Sequence, residues 1–194
     1  MDARYVKATT ATSPDVKVCG KRLLPFCLRH RMMLEAINSP FLEPDKRGFT
    51  AMDLMRAIKI ISTYDKKAVD EPFSFIEKIY IYLLNKSAKT LSRVCGFVIG
   101  HITNSCSYPK LWEKNDKKET ERVPWVLSCI ANNVRNGCTL EEAWTMPEGE
   151  AVWMSISHAI YNGAKIDVIS TDEEEQMKHF DEIVERFKKS RNKN

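Results

Sequence analysis

Glycine and proline are scarce in this chain, seven and eight among 194 residues. Sandwiches and barrels of short strands need frequent turn residues, so this sparse punctuation favours helices. Long apolar runs are missing as well. The longest, Val94 to Ile102, is interrupted by Gly96, Gly100 and His101 and falls far short of the roughly 20 residues that span a bilayer. The N-terminus has no apolar core followed by a small-residue cleavage site, so it does not read as a secretory leader. No Cys-x-x-Cys pair is present, which argues against structural zinc. Neither a Walker A loop nor a Gly-x-Gly-x-x-Gly turn is there to cradle a phosphate, and no internal repeat is visible.

What is present is the composition of a globular protein, 43% hydrophobic and 29% charged. The length suits one domain with a sizeable core, which needs no disulfide or metal staple. The net charge of +4 is mild for a dedicated nucleic-acid binder. It is also concentrated at the ends: residues 1–31 hold seven Lys/Arg against Asp2 and Asp15, and residues 177–194 hold six against Asp181, Glu182 and Glu185. Of the six cysteines, Cys27, Cys95 and Cys129 fall inside apolar helical runs and read as reduced, buried thiols. The expected compartment is a reducing cytosol, with no membrane partner.

The expected fold is all-α, a single bundle of seven or eight helices. Residues 1–20 read as an arm or edge segment. Residues 21–170 read as the helical domain, with a polar insert at 108–122. Residues 171–194 read as an amphipathic helix with a basic tail. Helices are expected from Pro25 to Asn38 and from Thr50, opened by a Thr50/Asp53 capping box and buried through Met52, Met55, Ile58 and Ile61. The next runs from Phe73 to Lys86 and buries Phe73, Ile76, Tyr80, Leu83 and Leu84. Leu91–Ser105 is apolar nearly all round and reads as central. Pro124 opens a helix that Gly137 closes, Thr139 and Glu142 cap another, and Pro147 separates it from a helix over 148–161 that ends at Gly163. Residues 165–169 alternate as one short extended segment. The acids after Ser170 start the last helix, whose stripe is Met177, Phe180, Val184 and Phe187.

Candidates for chemistry each carry a plainer explanation. Cys27 and His30 share a helix face at metal-ligand spacing, with Cys19 upstream, yet no Cys-x-x-Cys pair accompanies them. No cysteine is flagged as a nucleophile, and no cofactor is expected. The acids Glu141, Glu142, Glu148, Glu150 and Asp172–Glu175 lie at helix starts, where capping accounts for them. Gly96-x-x-x-Gly100 reads as close helix packing. The cations Lys21, Arg22, Arg29 and Arg31, and Arg186, Lys188, Lys189 and Arg191 at the other end, suit phosphate contact, so a nucleic-acid-associated protein is the alternative reading.

The most distinctive stretch is Glu142-Ala-Trp144-Thr-Met146-Pro147, followed by Ala151-x-Trp153 and a helix ending at Tyr161 and Gly163. Its two tryptophans either clamp a core corner or anchor a partner. The pattern, followed by an acid-started tail helix, resembles tail-assembly chaperones of bacteriophages and prophages over residues 137–175. That resemblance implies a non-enzymatic assembly protein that binds a helical partner, such as a phage tape-measure protein, or self-associates. Trp144, Met146, Pro147, Trp153 and Tyr161 are the residues it singles out.

Overall fold

The computed structural model describes residues 2–11, 17–45, 48–112 and 123–191, excluding the side chains of Phe187, Lys189, Ser190 and Arg191. Among the described residues the chain is all-α, with nine α-helices and one short antiparallel ladder. The helices are α1 (Ala3–Thr9), α2 (Leu28–Ala36), α3 (Ala51–Ile61), α4 (Phe75–Asn85), α5 (Ala88–Ser105), α6 (Trp125–Arg135), α7 (Leu140–Thr145), α8 (Glu148–Tyr161) and α9 (Thr171–Arg191). Strand β1 (Lys110–Leu111) pairs with β2 (Val168–Ile169), so the extended segment expected at 165–169 closes the start of the polar insert against the chain before α9. The rest of that insert, from residue 113 to 122, lies outside the described residues. No helix among them is long and apolar enough to cross a membrane.

The helix starts follow local cap chemistry. Thr50 with Asp53, Ser74 with Glu77, and Thr139 with Glu142 each form a reciprocal capping box that satisfies two otherwise orphaned amides. Gly137 at φ +106° and Gly163 at φ +90° end α6 and α8 in the left-handed conformation that glycine adopts without a steric cost. Residues 1–20, expected as an arm, contain α1, whose Ala8 is wholly buried against α8 and α5. Its seven residues are too few for periodicity to betray them.

Two apolar clusters hold the bundle. The larger surrounds α3 through Leu54, Met55, Ile58 and Ile61, and takes Leu23, Phe26, Met33, Leu34, Phe41, Leu84 and Val98 from its neighbours. The smaller joins Leu28 of α2 to Val126, Cys129 and Ile130 of α6, Ala143 of α7 and Ala151 of α8. Helix α2 therefore bridges both. Before it, the irregular strap Leu24–Phe26 satisfies its backbone against three elements. The Leu24 amide donates to the Ile61 carbonyl at 2.9 Å, the Leu24 carbonyl accepts from His101 at 2.8 Å, and the Phe26 carbonyl accepts from the Glu148 amide at 2.9 Å.

The core differs from expectation at several positions. Met52, Ile76 and Leu83 were expected inside and are exposed. Among the described residues no atom lies within 4 Å of where a side chain would begin at Gly96 or Gly100, so no described helix packs closely on them. The close approach lies instead at Gly149, in the first turn of α8. A Cβ there would stand 2.9 Å from the Ala8 Cβ and from the Ser105 carbonyl oxygen, and 3.0 Å from the Ser107 amide. Two of these are backbone atoms and cannot swing aside. Gly149→Ala is therefore expected to destabilise the fold by about 1–3 kcal/mol, against a gain of about 1 kcal/mol from helix propensity alone. A urea midpoint unchanged or raised would disprove the close packing.

Candidate interaction surface

The polar interior is organised around two buried carboxylates. Glu148, wholly buried at the start of α8, takes the Arg31 Nε at 2.7 Å and Nη2 at 2.6 Å on one oxygen. The Tyr108 hydroxyl donates to the same oxygen. No N–H or O–H donor among the described residues reaches its second oxygen. Burial pushes the Glu148 carboxyl above its ordinary range, and Arg31 pulls it back only in part. The neighbouring Cys106 thiol is pushed up as well, by burial and then by the Glu148 charge. Arg31 also lies over the Trp125 ring, 5.5 Å from its centre. Glu148 was read from sequence as one more exposed capping acid; it is an internal ion-pair partner.

The second carboxylate, Glu77, completes the α4 capping box and faces Lys21 at 3.1 Å and Lys59 at 3.7 Å. Lys59 is itself buried and donates to the Pro72 carbonyl at 3.0 Å. Its Nζ also lies 2.8 Å from Glu71. This cluster fixes the entry of α4.

The N-terminal cations expected at a phosphate are thus largely committed. Lys21 holds Glu77, Arg31 holds Glu148, and Arg29 makes a two-pronged pair with Glu141 at 2.7 Å. Arg22 is exposed. At the other end Arg186 and Lys188 are exposed on α9, while the side chains of Lys189 and Arg191 lie outside the described residues.

Cys27 and His30 do meet. The Cys27 thiol lies 3.3 Å from His30 Nδ1, and His30 Nε2 lies 3.0 Å from the Thr63 carbonyl. The geometry assigns a neutral imidazole that donates to Thr63 and accepts from the thiol. Burial pushes Cys27 up to about 12 and His30 down to about 4, the reverse of a thiolate–imidazolium pair. Both are wholly buried and His30 stacks on Tyr64, so the pair is a packing element. No group of three or more potential metal ligands gathers among the described residues. All six cysteines are free.

The residues singled out by the tail-chaperone pattern do not share an open face. Trp153 is buried, donates its indole N–H to the Ser107 carbonyl at 2.9 Å and packs edge-on against Tyr5. Trp144 and Met146 are half-buried on the smaller cluster. Pro147 bridges to Cys27 and caps α8. Tyr161 alone is open, at the far end of α8.

The open apolar surface lies on α4. At 100° per residue, Glu77, Tyr80, Ile81 and Leu84 point inward, and Phe75, Ile76, Ile79, Tyr82 and Leu83 form an opposite stripe about 120° wide. Those five are between 43% and 78% exposed. The stripe amounts to on the order of 500 Å², at the upper end of the largest patch a monomer ordinarily shows. A helix apolar on both faces belongs in an interior. Exposed Lys78 and Lys86 adjoin it, Lys86 lying over the Tyr82 ring at 4.4 Å, and the only acid from residue 73 to 105 is the buried Glu77. Of the residues expected inside here, Phe73, Tyr80 and Leu84 do pack on the core, whereas Ile76 and Leu83 lie on the open stripe.

Comparison with family models, with curated proteins and with solved structures finds no match for this chain.

Proposed function

We propose that this chain is a non-enzymatic assembly protein that binds a helical partner across the outer face of α4. The observation that carries the reading is the exposed Phe75–Leu83 stripe on a helix whose inner face is already packed. An amphipathic helix laid along that stripe would bury it through anchors spaced three and four residues apart. The surrounding cations favour a partner whose flanks are acidic. The resemblance to tail-assembly chaperones suggests the occupant's class, a segment of a long helical protein such as a tape-measure protein, and a reducing cytosol as the setting. The buried thiols of Cys27, Cys95 and Cys129 and the paired internal carboxylates support a role without catalysis.

The test is a pair of serine substitutions, Phe75→Ser with Tyr82→Ser, read against a labelled acidic amphipathic peptide of about 20 residues by fluorescence anisotropy. Both side chains face solvent, so stability should move by no more than about 0.5 kcal/mol. Peptide affinity should fall at least tenfold. Unchanged affinity in a folded variant would remove α4 as the docking face.

A further inference from the structure

We infer that the occupant of the α4 face is α9 of a second copy of this chain, docked reciprocally. The inference rests on the helix-binding reading above and names a partner for it. Helix α9 extends 21 residues, and no described helix packs along it. Among the described residues Arg4 and Lys110 hold its first turn, through Glu174. Beyond that turn Met177, Phe180 and Ile183 are exposed as a second unpartnered stripe.

The two stripes are similar in length and complementary in charge. At a rise of 1.5 Å per residue, Phe75 to Leu83 spans about 12 Å and Met177 to Ile183 about 9 Å. Exposed Lys78 and Lys86 adjoin the α4 stripe. On α9 exposed Asp172, Glu173, Glu175, Asp181 and Glu182 outnumber exposed Lys178, Arg186 and Lys188 around the stripe. Docking sets the excess of acids on α9 beside the cations of α4. The α9 stripe exposes on the order of 300 Å², so a reciprocal pair would cover on the order of 800 Å² per protomer, the size of a standard stable interface. A two-fold arrangement also closes, leaving no free stripe to propagate a filament.

Sedimentation velocity on the full chain tests this. The wild type should be a dimer at micromolar concentration, weakened by salt because exposed charges meet across it. Phe180→Ser, and separately Phe75→Ser with Tyr82→Ser, should each raise the dimer dissociation constant at least tenfold. An equimolar mixture of the two variants should associate more tightly than either variant alone, because one of its two α4–α9 contacts is intact and both lesions fall in the other. A mixture no tighter than either variant alone, or a wild type monomeric at every concentration, overturns the inference. So does a monomer that co-sediments with phosphatidylserine vesicles, which would give the face to a lipid surface. The Phe180→Ser chain should still bind the acidic peptide. Peptide binding by a chain that never dimerises removes this inference alone, and loss of both removes the α4 reading with it.

Discussion

Arg31→Ala is expected to lower the unfolding free energy by about 3–5 kcal/mol, the largest effect of any single polar substitution in the molecule. The argument concerns what remains. Glu148 is wholly buried, and its bonded oxygen would keep only the Tyr108 hydroxyl. A carboxylate left in that interior has lost its countercharge and cannot reach water. Glu148→Gln should cost less, about 1–2 kcal/mol, because the cation left behind is half-buried, lies 3.9 Å from Glu35 and stacks on Trp125. The double variant Arg31→Met with Glu148→Leu removes both charges and should recover most of the loss.

The pH dependence gives a second readout of the same pair. Without Arg31, burial acts unopposed and the folded-state pKa of Glu148 rises further above its unfolded value. Such a group contributes stability below its unfolded pKa, and that contribution is lost as pH rises through the folded pKa. The deficit of Arg31→Ala should therefore shrink as pH falls toward 4.5. Urea midpoints followed by circular dichroism at pH 7 and pH 5 decide the matter. Equal costs for Arg31→Ala and Glu148→Gln at both pH values would mean that the carboxylate is not the costly partner.

Glu148 also marks where sequence reasoning stops. The boxes at Thr50 and Thr139, the left-handed glycines at 137 and 163, and the acid-led start of α9 were legible because each involves neighbours within four residues. Arg31 lies 117 positions from Glu148, and nothing local distinguishes that acid from Glu141, which does lie on the surface. Leu83 and Leu84 pose the same difficulty in apolar form. Both fit a helical stripe, but α3 and α5 cover Leu84 and leave Leu83 open, and that choice depends on packing partners far along the chain. Two residues of the candidate surface, Ile76 and Leu83, were consequently assigned to the core. Of the tryptophans that looked like anchors, Trp144 packs on the smaller cluster, and Trp153 packs against Tyr5 and bonds the Ser107 carbonyl.

His30 yields the other large effect, this time as a function of pH. Burial holds its pKa at about 4 in the fold, against about 6.5 for the unfolded chain. Between those values the unfolded state binds the proton and the folded state does not, so stability rises with pH across the window. The contribution is fully present above pH 6.5 and is lost as pH falls toward 4, by about 3 kcal/mol in all. His101 is shifted in the same direction by burial, so the wild-type curve contains both groups. The difference between wild type and His30→Gln isolates the first. Glutamine keeps an N–H for the Thr63 carbonyl and has no proton to gain, so the variant should start less stable at pH 7 and lose less on acidification. Measured as urea midpoints from pH 7 to pH 4.5, the two curves should converge. Parallel curves would mean that the imidazole becomes charged in the folded state as readily as in the unfolded one. The neutral hydrogen-bonded relay from the Cys27 thiol through His30 to Thr63 would then not be the arrangement that fixes α2 against the end of α3.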